Sequence, residues 1–432
     1  HGGRLPVPTA LVAVLARLVG VSAVPLPDHL DDFLTPVLAT VGTAVFVIAA
    51  WLAFRPVVTR RRHDRTALER ARSIVSRYGT DTLSWFALRD DKQFFFHKSS
   101  VVAYGVFGGV CLVSPDPVGP PEDRAETWAA FRHFADEQGW ALAVLGASQD
   151  WLPVYRASGM REIYIGDEAV VDCTRFSLEG GRFKALRQAV NRVARYGYRA
   201  EFFDPATLDP QLASQLRALA SSARRGGVER GFSMTLGRLF DPADTGLLLV
   251  VVFAPDGRPV AFCQYVPAPG IEGWSLDVMR RDRGEHPNGL LDFAVVETIR
   301  WIRDHGGRGL ALNFATMRAV LAGETDGTVA TRAQRWLLRR LSESMQIESL
   351  WRYNAKFDPD WRPRYALYDA RDRIVPAALA VARAESFWEL PLVGRFFRPT
   401  PPQPPPAAAA EGLVPSREVQ PPSRLPLPGS TR

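Results

Sequence analysis

The chain opens on long apolar runs and then breaks into short ones. Residues 33–54, FLTPVLATVGTAVFVIAAWLAF, run for 22 positions without a charge, which is enough to cross a bilayer as a helix. The segment that follows carries Arg55, Arg60, Arg61, Arg62 and Arg65. That asymmetry predicts a span with its C-terminal side cytoplasmic. An earlier run, 7–26, has Arg17 in its middle and reads either as a second span or as a helix lying in the interface. From about Asp81 the pattern is globular. Residues 100–114 predict a hairpin turning at Gly108-Gly109, residues 125–138 a helix, and 140–145 a strand. The theme returns as strands over 246–253, 260–266 and 271–279, a helix over 290–305 and a strand over 310–314. The fold class expected is α/β (α+β), in two copies by order of elements, preceded by one or two transmembrane helices. The expected division is a membrane segment over 1–62, a first half over 70–180, a second half over 181–396 and a disordered Pro-rich tail over 397–432.

Within this frame WSLDVMRRDRGEHPNGL, residues 274–290, stands out. Asp277 lies in an apolar strand, and Arg280, Arg281 and Arg283 follow it before the turn signal Pro287-Asn288-Gly289. Asn288 is a suitable N-cap and Asp292 falls in the first turn, while Phe293, Val296 and Ile299 give the helix its core face. A helix N-terminus behind a strand offers free N–H groups to an anion, and arginines add forked donors. A solvated charged loop is the plain alternative. In residues 180–198 Lys184, Arg187, Asn191 and Arg195 share one helical face and Leu186, Val190 and Val193 the other. That face either meets a polyanion or is simply solvated. Residues 374–390 are apolar with arginines and fit a membrane surface or a core helix equally.

Charge and composition narrow the partners. The formal charge of +7 favours an anionic partner such as nucleic acid, lipid headgroup or phosphate. Of 53 basic residues only Lys92, Lys98, Lys184 and Lys356 are lysines, so each stands out against the arginine bias. Cys111, Cys173 and Cys263 form no paired framework and read as reduced core thiols. No histidine pair has metal spacing, and neither a G-x-S-x-G nor a Walker loop occurs, so a metal is not expected. The chain begins with His and reads as a fragment or processed form.

An ordered set of short motifs goes further. It runs through FFF at Phe94, DPVG at Asp116, GDEAVVD at Gly166, LRQAVNRV at Leu186 and ERGFS at Glu229. It continues with SLDVMRRDR at Ser275, PNG at Pro287, LNFA at Leu312 and NAKF-x-P-x-W-x-PR at Asn354. Together these resemble the bacterial phosphatidylglycerol lysyltransferase (lysylphosphatidylglycerol synthetase) family, in its actinobacterial-type branch, over roughly residues 70–390. The resemblance implies a tandem GNAT-like acyltransferase domain, cytoplasmic at a cell membrane. Its reaction moves an aminoacyl group, by family default lysyl, from aminoacyl-tRNA to the glycerol hydroxyl of phosphatidylglycerol, with no cofactor. It implies Asp277, Arg280 and Lys356 as catalytic residues. Glu229, Ser233, Arg281, Arg283, Asn288, Asn313, Lys184, Arg187 and Arg195 would bind the two anionic substrates. The GNAT pyrophosphate loop, Q/R-x-x-G-x-G/A, has no match at 280–289, which argues against an acyl-CoA donor. Another acyltransferase, tRNA-dependent on a peptide or cell-wall amine or CoA-dependent, and a non-catalytic lipid-binding protein are the alternatives.

Overall fold

The apolar runs join in one eleven-stranded sheet, and helices cover both of its faces. The computed structural model describes residues 65–224, 232–316 and 347–369, with isolated helical positions at 37, 40, 43, 377, 380, 381 and 384. The expected spans over 7–26 and 33–54 and the tail lie outside the described residues, save those three positions. Among the described residues no helix is long and apolar enough to cross a membrane.

The first part of the chain gives α1 (Arg65–Tyr78), β1 (Gln93–His97), β2 (Ser100–Phe107), β3 (Val110–Val113), α2 (Arg124–Glu137), β4 (Ala141–Ala147), α3 (Leu152–Ala157) and β5 (Met160–Asp172). The second gives α4 (Lys184–Arg195), β6 (Arg199–Phe203), α5 (Pro210–Arg224), β7 (Leu248–Phe253), β8 (Pro259–Ala268), β9 (Gly273–Arg281), α6 (Leu290–Asp304), β10 (Gly309–Thr316), α7 (Ile347–Ala355) and β11 (Asp360–Asp369). The mixed α/β class expected from the sequence holds. The predicted hairpin turn at Gly108-Gly109 joins β2 to β3, with both glycines at positive φ.

Sheet order is β1-β2-β3-β4-β11-β5-β10-β9-β8-β7-β6. Two strand–helix–strand units repeat in it: β3-α2-β4 and β9-α6-β10 are each parallel pairs. The strand that closes each unit is exchanged. β5 pairs with β10 of the second unit, and β11 pairs with β4 of the first. The exchanged strands lie side by side, antiparallel, at the centre. A buried ion pair fastens them: Arg364 of β11 reaches Glu168 of β5 at 2.6 Å and Asp81 at 2.9 Å. Both Arg364 and Glu168 are buried, so removing one partner alone would be strongly destabilising.

Apolar periodicity explains the layers. In α6 Phe293, Val296, Ile299 and Ile302 are buried against β7–β10, with α4 contributing Leu186, Val190 and Val193. Burial of each such side chain contributes about 1.5–3 kcal/mol. Ala377, Ala380, Val381 and Ala384 pack on Val110, Leu112, Ala143 and Leu145. Of the two readings of 374–390, these positions therefore favour the core helix over the membrane surface.

Candidate functional site

β9 and β10 are hydrogen-bonded only from Gly273–Gly309 to Ser275–Ala311 and then part. A cavity of about 220 Å³ opens where they separate. Thr235, Asp277, Met279, Arg280, Tyr353 and Asn354 line it. Asp277 is there because of a β-bulge. The β8–β9 register steps from Gln264–Val278 to Tyr265–Leu276, leaving Asp277 as the extra residue. Bulges re-aim a side chain in this way.

The Asp277 carboxylate is buried and tightly held. Oδ1 accepts from the backbone N–H of Leu236 at 2.9 Å, and Oδ2 accepts from Nε2 of Gln264 at 2.7 Å. Oε1 of Gln264 is buried without a hydrogen-bond partner among the described residues. Arg280 lines the same cavity and its Nη1 donates to the Met279 carbonyl at 2.9 Å. Asn354 is buried and donates to the Leu312 carbonyl at 3.2 Å, fixing α7 to β10. Tyr353 brings a phenol whose pKa burial, and then the nearby Asp292 charge, push well above the ordinary value. It therefore stays a hydroxyl donor at neutral pH.

Lys356 stands behind Tyr353. Its ammonium lies 4.8 Å from the Tyr353 ring centroid and meets both oxygens of Asp292, at 3.0 and 3.1 Å. The first-turn carboxylate of α6 is thus already matched to a cation.

The loop after β9 is organised by its own carboxylate. Asp282 accepts from the backbone N–H groups of Arg283 and Gly284 and from Nη1 of Arg258 at 2.8 Å, with His286 at 3.3 Å. Burial would raise its pKa, but these donors outweigh it and hold it at about 2. Among the described residues, Arg280 alone of the three arginines lines the cavity. Arg281 is exposed, and Arg283 donates to the Ala223 carbonyl at 2.7 Å.

The helix cap differs from expectation. Asn288 is exposed, and the N-cap of α6 is Gly289 at φ +102, with no side-chain cap. A Cβ at Gly289 would stand 2.6 Å from that of Ala189. Close approach of α4 therefore selects glycine where a capping side chain was expected. On α4 Lys184 and Arg195 are exposed, but Arg187 turns back to the carbonyls of Leu178 and Gly180. Arg195 donates to the Asn191 carbonyl at 3.2 Å. Ser233 is buried on the segment leading to Thr235 and Leu236. Asn313 lies on β10, where the register to β5 is irregular. Glu229 lies outside the described residues.

Sequence reasoning missed Gln264, Tyr353 and the role of Asp292. The signal for Gln264 was present: it is the lone hydrogen-bonding amide in VAFCQYVPA, one strand before the lone carboxylate of WSLDVM. Of the four lysines, Lys92 is structural: it is buried and donates to the carbonyls of Phe86 and Ser114.

Residues 72–368 match the family described as "Phosphatidylglycerol lysyltransferase, C-terminal". Two relatives are each described as "Lysylphosphatidylglycerol biosynthesis bifunctional protein LysX". That of Nocardia farcinica is 38% identical over 319 residues, covering 73% of this chain and 28% of the relative. That of Mycolicibacterium gilvum is 34% identical over 393 residues, covering 89% and 35%. The chain spans about a third of the length of these relatives. Among solved structures it is similar to L-PGS from Bacillus licheniformis, with a TM-score of 0.65 at 23% identity over 74% of this chain and 97% of that one. That likeness speaks for the fold.

Proposed function

The chain belongs to the phosphatidylglycerol lysyltransferase family, and from that premise we propose that it moves a lysyl group from lysyl-tRNA to a glycerol hydroxyl of phosphatidylglycerol. The reaction takes place at the cytoplasmic face of the membrane, to which residues 33–54 anchor the chain. The synthase domain is a tandem GNAT-like acyltransferase, in keeping with the repeated β-α-β units and their exchanged strands.

One observation carries the reading: a buried carboxylate, Asp277, aimed by a bulge into a cavity it shares with Arg280. Transfer between two esters has little thermodynamic drive, so rate enhancement comes from positioning, proton transfer and charge stabilisation. In the proposed step the lipid hydroxyl oxygen attacks the aminoacyl carbonyl carbon and its proton passes to Asp277. The bond from that carbon to the terminal ribose oxygen of the tRNA then breaks, and the ribose oxygen takes the proton. A carboxylate oxygen accepts more than one hydrogen bond, so the Gln264 and Leu236 donors fix Asp277 while it serves as base. Holding the donor's α-ammonium is the second role its charge suits. Arg280 binds a substrate phosphate. Lys356 contributes positive charge at the rim, and Tyr353 offers a hydroxyl to the tetrahedral oxyanion. Glu229 and Ser233 lie on the segment proposed to receive the aminoacyl cation. Lys184, Arg195, Arg281 and Arg283 supply the positive surface for the tRNA, with Arg187, Asn288 and Asn313 shaping the elements that carry it.

Lipid analysis of cells that express the protein tests this reading. Thin-layer separation with mass detection should reveal lysylated phosphatidylglycerol, absent from cells expressing Asp277→Asn. An unchanged lipid profile would count against it.

A further inference from the structure

The first β-α-β unit repeats the geometry of the second. β3 and β4 are paired from Val110–Ala141 to Val113–Val144 and then part, as β9 and β10 do beyond Ser275 and Ala311. In each unit the second strand has an irregular register just past the parting: β4 between Ala147 and Leu145 against β11, and β10 between Ala311 and Phe314 against β5. Gly146 fills the first irregularity at φ +81. A buried aspartate stands just past the parting on the leading side of each unit, Asp116 in the first and Asp277 in the second. Asp116 spans the gap: it accepts from the N–H of Ser148 at 2.8 Å and from the Tyr155 hydroxyl at 2.7 Å. A cavity of about 210 Å³ fills this first parting. The strand directions put it at the opposite edge of the sheet from the Asp277 cavity.

The two cavities differ in chemistry. Arg124 and Arg362 both line the first, and neither guanidinium forms an ion pair among the described residues. Arg124 lies 5.4 Å from the Trp151 ring centroid. Arg364, two residues further along β11, is by contrast taken up by Asp81 and Glu168. Asp150 lines the same cavity, is exposed, and forms no ion pair among the described residues. Two unmatched guanidiniums and an unmatched carboxylate thus converge on one small space, with Asp116 in its wall. Such a space suits a ligand that carries both charges: forked donors for a carboxylate and carboxylates for an ammonium. At about 30 Å³ per water the space holds roughly seven waters. That is room for a small amino acid.

We propose that this cavity is a second ligand site, separate from the transfer cavity, for a small α-amino acid zwitterion: its carboxylate lies on Arg124 and Arg362, its ammonium on Asp150 and Asp116. The proposal does not depend on the transfer reading.

Calorimetric titration of the full chain in detergent with L-lysine, L-alanine and inorganic phosphate tests it. Saturable binding of at least one of the amino acids is expected. Affinity should fall at least about tenfold, ~1.4 kcal/mol, in Arg124→Met with Arg362→Met and again in Asp150→Asn, and stay within about twofold in Asp277→Asn. Circular dichroism establishes that each variant is folded. Four results would each overturn the proposal: no binding of either amino acid up to about 10 mM, a free energy of only ~3 kcal/mol; binding that survives both sets of substitutions; binding lost in Asp277→Asn, which assigns it to the transfer cavity; or inorganic phosphate binding as tightly as the amino acids.

Discussion

Gln264 donates to Asp277 across the β8–β9 pair at 2.7 Å, from a side chain that is itself fully buried. If Asp277 is the base proposed above, Gln264 is a positioning residue. Gln264→Leu keeps the strand apolar and removes the donor. A hydrogen bond to a charged group is worth about 1.5–3 kcal/mol, so kcat should fall about tenfold or more with the KM for lipid nearly unchanged. Loss of a donor raises a carboxylate's pKa, so the acid limb of the pH–rate profile should move to higher pH. A purely structural Gln264 would lower thermal stability and leave that limb in place.

Gly289 is where α4 meets the N-terminus of α6. Gly289→Ala adds a Cβ 2.6 Å from that of Ala189, at a φ of +102. Left-handed strain and overpacking each cost about 1–3 kcal/mol. The variant should melt several degrees lower by circular dichroism, while an unchanged melting temperature would mean that the two helices are not in close contact.

Lys356 and Asp292 separate charge from packing. Their ion pair is half-exposed on the lysine side and buried on the aspartate side, and the N-terminus of α6 still offsets the first-turn carboxylate when the lysine is removed. Lys356→Met should therefore melt near the parent yet lose about tenfold in kcat/KM, a transition-state loss of ~1.4 kcal/mol. Lys356→Arg should recover part of it. Equal transfer by Lys356→Met would confine the lysine to neutralising Asp292.

Asp116 predicts a pH dependence. Burial, and then the Asp81 charge, raise its carboxyl from the usual 3.8 to about 6. A group whose folded pKa is raised binds its proton more tightly in the folded state. Stability therefore falls as pH rises through the window from about 4 to about 6, and stays lower above it. Asp116→Asn lacks this titration. Relative to that variant, the parent's unfolding free energy should decline across the window by on the order of 2–3 kcal/mol, measured by urea melts at each pH. A constant difference between the two proteins would contradict it.

Much of this architecture was legible in the sequence because burial imposes a period. The strands of the 246–281 meander and the helix from Leu290 follow apolar runs that have one packing solution. Asp277 was legible for the converse reason, a lone carboxylate in a run that has to be buried. What escaped were features set by the partner rather than by the segment. The exchange of β5 and β11 depends on long-range pairing that no local pattern encodes. The cap of α6 became Gly289 because α4 approaches it, whereas local propensity favoured Asn288. The arginine loop looked like an anion cradle, but Asp282 gathers Arg258 and two backbone N–H groups from within the protein, and among the described residues Arg280 alone of the loop's arginines lines the cavity.

Transfer in vitro decides whether the protein lysylates the lipid from tRNA and whether Asp277 carries the step. Protein, lysyl-tRNA labelled in the lysyl group and phosphatidylglycerol vesicles are mixed, and label is followed into the lipid phase with and without RNase. RNase-sensitive labelling of lipid is expected, falling about a hundredfold in Asp277→Asn, equivalent to ~3 kcal/mol of transition-state stabilisation. That variant should stay folded, because the Gln264 amide can flip to present its Oε1, unpartnered among the described residues, to the new amide. Label that reaches lipid after RNase treatment, or a folded Asp277→Asn protein that transfers at the parental rate, would contradict the proposed transfer.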